Sequence, residues 1–210
     1  AQIARYTGTH SIPAFNSFIV KDSTYIPTPY MMQTYIGQER MYAKAIDYVV
    51  ETLSATDAPK PVILDNANDR KDKLNFVSRL KERLDREGIE YTTLEFDGNL
   101  HKTILEENLP TSASYFIITM SGHLSEYNKI ASGLAAFAES LATEGNTLTT
   151  FGYPEWISFR GDAQDKLAQI GALYYSRFYV DKDGEDTKHT IAEFRRWYGK
   201  APADGIPVQA

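Results

Sequence analysis

Pro61-Val-Ile-Leu-Asp-Asn-Ala-Asn68 is a short apolar run that ends in polar residues tolerant of sharp turns. A parallel strand buried on both faces reads this way where it reaches its carboxyl end. From Asp69 to Glu87 the apolar residues Leu74, Val77, Leu80 and Leu84, with Phe76, recur at helical spacing; charged residues fill the other face, and Gly88 stands where a C-terminal cap belongs. Ile89-Glu-Tyr-Thr-Thr-Leu-Glu-Phe96 follows, β-branched and aromatic, and stops at Asp97-Gly98. Strand, helix and strand in this order form a βαβ unit.

The rest of the chain repeats the pattern. A short helix over about Leu100 to Leu109 ends at Pro110, and Tyr115-Phe-Ile-Ile-Thr-Met120 is the strongest buried strand of the sequence. After Ser121-Gly-His123, Tyr127, Ile130, Leu134, Phe137 and Leu141 recur at spacings of three and four, with Gly145 as the stop. A fourth strand is expected at Thr147 to Phe151, a polar helix around Ala163 to Ile170, a fifth strand at Leu173 to Val180, and a last helix from about Lys188 to Tyr198, closed by Gly199. Five strands alternating with helices predict an α/β fold: a three-layer, doubly wound, mostly parallel five-stranded sheet. Upstream, a helix from about Gln38 to Leu53, with Met41, Ala45, Tyr48 and Val49 on one face, can cover the first strand. His10 to Val20 reads as an extended stretch interrupted by Pro13, and residues 1–25 have no obvious place in the sheet except as an edge strand or the end of another body.

Composition narrows the class. The 210 residues are 42% hydrophobic and 24% charged, as in an ordinary globular chain, and no apolar run approaches the ~18 residues of a membrane-spanning helix. The net charge is −6, with 22 basic residues interspersed among 28 acidic ones, which argues against a nucleic-acid surface and favours small, neutral or peptide-like partners. Cysteine is absent, so disulfides, thiolate metal sites and cysteine nucleophiles are excluded. Ala1-Gln-Ile-Ala-Arg-Tyr6 has neither the basic nor the apolar region of a signal peptide.

Several chemistries lack their motifs. No G-x-G-x-x-G follows a strand and no G-x-x-x-x-G-K-[ST] occurs, so no nucleotide cofactor is expected. The histidines, His10, His101, His123 and His189, form no ligand-spaced pair, so no metal is expected either. Thr119-Met-Ser-Gly-His123 puts a Ser at a strand-to-helix turn, but Thr119 and Met120 replace the small residues a nucleophile elbow needs, and His123 is too local to serve as its base. The alternative for Ser121 is a helix cap. No enzyme activity is therefore expected.

In open parallel sheets ligands lie outside the carboxyl ends of the strands. The candidates there are Asn66, Asn68 and Asp69 after the first strand; Ser121, Gly122 and His123 after the third; Tyr153, Glu155 and Trp156 after the fourth; and Tyr179 and Asp181 after the fifth. Asn and Ser can hydrogen-bond a polar ligand, N–H groups after Ser121 can hold a carboxylate, and Tyr and Trp can stack on apolar parts. Each also has a plainer reading, with Asn66 and Asn68 as turn formers, Tyr153 and Trp156 as packing under a loop, and Asp181 as a solvated charge.

Phe151-Gly-Tyr-Pro-Glu-Trp156 is the most distinctive string. With the Val62-Ile-Leu strand, the Phe76-Val helix, the Tyr115 to Ser121 strand and turn, Asn128 before the next helix, Phe178-Tyr-x-Asp181 and Phe194-x-x-x-Tyr198, it resembles the type I periplasmic-binding-protein-like family. The likeness is to a branch of bacterial cell-envelope proteins described as amino-acid ABC-transporter substrate-binding or LysM-associated. That resemblance implies two α/β lobes closing on a ligand, with residues 1–29 a remnant of the first lobe or an edge segment and 30–210 the second lobe. It implies a non-enzymatic ligand-binding module of the bacterial envelope or periplasm, for an amino acid, peptide or cell-wall fragment, with its signal peptide outside this chain. The alternative is an envelope scaffold that has lost small-ligand binding and works through peptidoglycan or protein contacts. The ligand-binding set is then Asn66, Asn68, Ser121, Gly122, Tyr153, Glu155, Trp156 and Tyr179.

Overall fold

The structure of the chain, a computed structural model, describes residues 2–16, 29–33, 37–66, 71–119, 121–176 and 183–200. It divides into one unit spanning Ala1–Tyr175 and another spanning Ser176–Ala210. The first unit opens with helix α1 (Gln2–His10) and strands β1 (Ala14–Asn16) and β2 (Met31–Gln33). β1 and β2 pair in parallel, Phe15 opposite Met32, as a two-stranded sheet separate from the main one. The extended stretch expected from His10 to Val20 is corrected in part. His10 ends a helix, stacked on Tyr6 one turn back at 4.1 Å, with its Nδ1 2.9 Å from the Tyr6 carbonyl oxygen. Residues 17–20 lie outside the described ones.

The main sheet is built from α2 (Gln38–Leu53), β3 (Lys60–Asn66), α3 (Lys71–Glu87), β4 (Thr92–Phe96), α4 (Lys102–Asn108), β5 (Tyr115–Ile118), α5 (Leu124–Thr143), β6 (Leu148–Gly152), α6 (Asp162–Gln169) and β7 (Ala172–Tyr174). Its order is β4-β3-β5-β6-β7, and every neighbouring pair is parallel. The expected five strands are thus the observed five, all parallel. β4 starts at Thr92, later than Ile89, because the preceding residues finish the helix: Gly88 adopts φ 69° and the Ile89 N–H donates to the Leu84 carbonyl at 3.0 Å. Of the expected fifth strand, Ala172–Tyr174 is strand, and 177–180 lie outside the described residues.

Alternation along the strands splits the core into two clusters. Val62, Leu64, Tyr115 and Ile117 pack with Leu105 of α4, Tyr127, Ile130, Leu134 and Phe137 of α5, and Leu167 of α6. Ile63, Phe116, Ile118 and Phe151 pack with Tyr42, Ile46 and Val49 of α2 and Phe76, Leu80 and Leu84 of α3. Adjacent residues feed opposite clusters because successive strand side chains point to opposite faces. The result is three layers, with each such large side chain contributing about 1.5–3 kcal/mol on burial. α2 therefore covers more than the first strand, reaching β5 and β6 through Phe116 and Phe151.

The second unit carries α7 (Glu185–Tyr198), one turn longer at its start than the spacing predicts, and Gly199 at φ 69° ends it as expected. The rings of Phe194 and Tyr198 meet at 4.5 Å, tilted by 36°, and no residue of this helix is buried.

Candidate functional site

β3 is the first strand of the main sheet in sequence but lies between β4 and β5. The chain leaves its carboxyl end toward one neighbour and later returns to the other, and such a reversal is the general ligand position of open α/β sheets. Asn66 closes β3 and is buried at 6% exposure, while Thr119, Ser121 and Gly122 follow β5 and are buried as well. Of the expected ligand residues, Asn66, Ser121 and Gly122 come from the two strands flanking the reversal. Asn68, Asp69, Tyr179 and Asp181 lie outside the described residues.

The turn after β5 is held from several sides. The Thr119 N–H donates to the Phe151 carbonyl at 2.9 Å, which ties the turn to β6. The Ser121 N–H points back to Thr119 Oγ1 at 3.3 Å, and the Ser121 carbonyl accepts the Trp156 indole N–H at 2.7 Å. Ser121 does not cap α5. The cap residue is His123, whose N–H donates to Glu126 Oε2 at 3.4 Å, an acidic side chain that also suits the positive helix end. The Ser121 hydroxyl is consequently buried with no hydrogen-bond partner among the described residues. An anion arriving at this helix end meets Glu126 first, which weakens the carboxylate-binding role expected of the N–H groups there.

Phe151-Gly-Tyr-Pro-Glu-Trp156 explains its own composition. A Cβ on Gly152 would run into the Trp156 ring, so only glycine lets the indole fold back over the strand it follows. Pro154 starts the 3-10 turn Pro154–Ser158 that brings the ring round. Trp156 is 1% exposed and meets Tyr127 edge-on at 5.3 Å. Tyr153 is buried too, and its ring lies against Gly122, where a Cβ would stand 2.6 Å from Tyr153 Cδ1. Stacking of ligand on Trp156 is therefore corrected to packing: the indole has no free face, and its N–H is spent on Ser121. Glu155 is half-buried, with Oε2 shielded and unpaired among the described residues.

Tyr175 was not among the expected residues. Its ring meets those of Phe76 at 5.9 Å, Phe151 at 6.0 Å, Tyr153 at 6.0 Å and Tyr42 at 6.4 Å. It thereby closes an aromatic cluster over the α2 and α3 side of the sheet. The only sign of it in the sequence is the doubled Tyr174-Tyr175, which strand alternation sends to opposite faces. Beside the β3 and β4 ends, Asp65, Glu95, Phe96 and Asp97 line a cleft of about 460 Å³. Lys81 of α3 stands 3.7 Å from Asp65, and no group of metal-ligating side chains occurs among the described residues.

The fold defines a class: a doubly wound, all-parallel α/β domain whose strand order reverses at β3. No protein-family model, no curated protein and no solved structure matches the chain. The likeness to the periplasmic-binding-protein-like family thus rests on the residues quoted for it. Asn128, counted there as preceding a helix, lies inside α5.

Proposed function

We propose that this chain is a non-enzymatic ligand-binding module, a solute-binding-like lobe of the bacterial envelope whose ligand is an amino acid, peptide or cell-wall fragment seated at the β3–β5 reversal. The observation that carries this reading is the Ser121 hydroxyl, buried and unpartnered at that reversal. An unsatisfied buried hydroxyl is costly unless something completes it, and a neutral hydrogen-bonding group of a ligand does so without a charged partner. Asn66 from β3 adds a polar neutral side chain on the other side of the reversal. A hydrolytic role for Ser121 finds no support in its surroundings, since it makes no hydrogen bond to His123, which is exposed. The envelope placement is carried by the family resemblance.

The test is a thermal-shift titration of the chain against a panel of amino acids and muropeptides, since a ligand that binds only the folded form raises its melting temperature. One member raises it, and Ser121→Ala weakens that ligand roughly 2–10-fold, the worth of about 0.5–1.5 kcal/mol for one hydrogen bond, without lowering the stability of the free protein. A ligand-induced shift that Ser121→Ala leaves unchanged refutes the site.

A second reading, the envelope scaffold, is favoured by one observation: the rings of Tyr153 and Trp156, the aromatic groups nearest the reversal, are consumed in packing. Silence across the whole panel, together with retention on peptidoglycan, selects it.

A further inference from the structure

The second site lies away from the strand reversal, on the helix layer formed by α4, α5 and α6. The loop after β4 crosses α5 at close range: a Cβ on Gly133 would collide with the Leu100 carbonyl oxygen, and the Leu100 N–H donates to the Lys129 carbonyl at 2.9 Å. This contact makes a backbone floor that cannot shift without breaking the helix packing. Above it runs a groove of about 350 Å³. In a chain with 28 acidic and 22 basic residues, no carboxylate lines this groove, whereas His101, Lys102, Lys129 and the Asn99 and Asn128 amides do. Ser132 also lines it, and Lys166 of α6 donates to the Ser132 hydroxyl at 3.0 Å, which holds another ammonium at the rim. Lys102 leans away to Glu106 at 3.1 Å. Lys129 and Lys166 have no acidic partner among the described residues.

We propose that this groove binds a phosphate-class oxyanion, held by Lys129 and Lys166 with His101 and the two asparagine amides. Like charges gathered at the surface without carboxylates between them, Lys129 exposed and Lys166 partly so, repel one another, and a multivalent anion relieves that repulsion. The donor geometry decides the class. Arginine, whose planar fork matches a carboxylate in two parallel bonds, is absent from the lining, and ammonium and amide donors from separate elements suit single bonds to an oxyanion approached from several directions. Free phosphate and the phosphate ester of a sugar or polymer share this chemistry.

The experiment is a titration of the 15N-labelled chain with inorganic phosphate at constant ionic strength, chloride serving as the reference, followed by amide shifts. A parallel arm uses glycerol phosphate. Saturable shifts centred on residues 99–102 and 128–133 are expected, weakened at least tenfold in Lys129→Gln and abolished in Lys129→Gln/Lys166→Gln. Lys44→Gln, on the opposite helix layer, leaves them unchanged. Tighter binding in the glycerol phosphate arm assigns the site to an ester, tighter binding of inorganic phosphate to the free ion. Shifts scattered over all lysines, or equal in the Lys129→Gln variant, overturn the proposal. Both lysines are on the surface side of their helices, so the variants stay folded and the reading is independent of any ligand at Ser121.

Discussion

Two buried polar groups at single residues behave oppositely on substitution. The Trp156 indole N–H satisfies the Ser121 carbonyl in the interior. Trp156→Phe keeps a ring but leaves that carbonyl unpaired, so a loss of about 1–3 kcal/mol is expected in chemical denaturation. Thr150 is fully buried, and its hydroxyl has no partner among the described residues. Thr150→Val keeps the shape and removes the unsatisfied group, so stability rises by about 1 kcal/mol in the same measurement. Composition marks Phe151-Gly-Tyr-Pro-Glu-Trp156 as distinctive, yet whether its rings face a ligand or the core depends on the absent Cβ of Gly152 and on a carbonyl 35 positions upstream. For the same reason Ser121 reads as a cap in isolation and is not one: Thr119 and Trp156 hold its backbone, and the cap falls to His123.

Among the elements, α5 is the one most fully legible, since Tyr127, Ile130, Leu134, Phe137 and Leu141 are all buried as their spacing predicts. Tyr127 also links helices, its hydroxyl donating to the Ala163 carbonyl of α6 at 3.1 Å. Burial holds its phenol well above the ordinary value. The unfolded chain loses this proton from about pH 10 upward while the folded form retains it. Stability from this group is thus complete below pH 10 and falls as the pH climbs past it. Tyr127→Phe flattens part of that alkaline decline, measured as midpoint denaturant concentration between about pH 9 and 11. Tyr115, raised by burial as well, and Tyr91, raised by burial and the neighbouring Asp85, keep the remainder. α1 is the element the pattern hides. Thr7, Gly8 and Thr9 near its end are poor helix formers, and the Tyr6–His10 stack that steadies its last turn is visible only once the turn is formed.

On the scale of the molecule, both core clusters draw their described residues from the unit ending at Tyr175. A chain ending at Tyr175 therefore keeps a cooperative thermal transition, with the amides of β3, β5 and β6 exchanging only through global opening. A broad, non-cooperative melt of that fragment in calorimetry would show that residues beyond it complete the core. The five strands of the main sheet, the helices that cover it and the parallel class were present in the sequence because periods of two and 3.6 residues are local properties of the chain. The order β4-β3-β5-β6-β7, the burial of Trp156 and the groove beneath Lys129 were decided by the tertiary structure. Each depends on which distant segments touch, and hydrophobic burial rewards any well-packed partner without naming it.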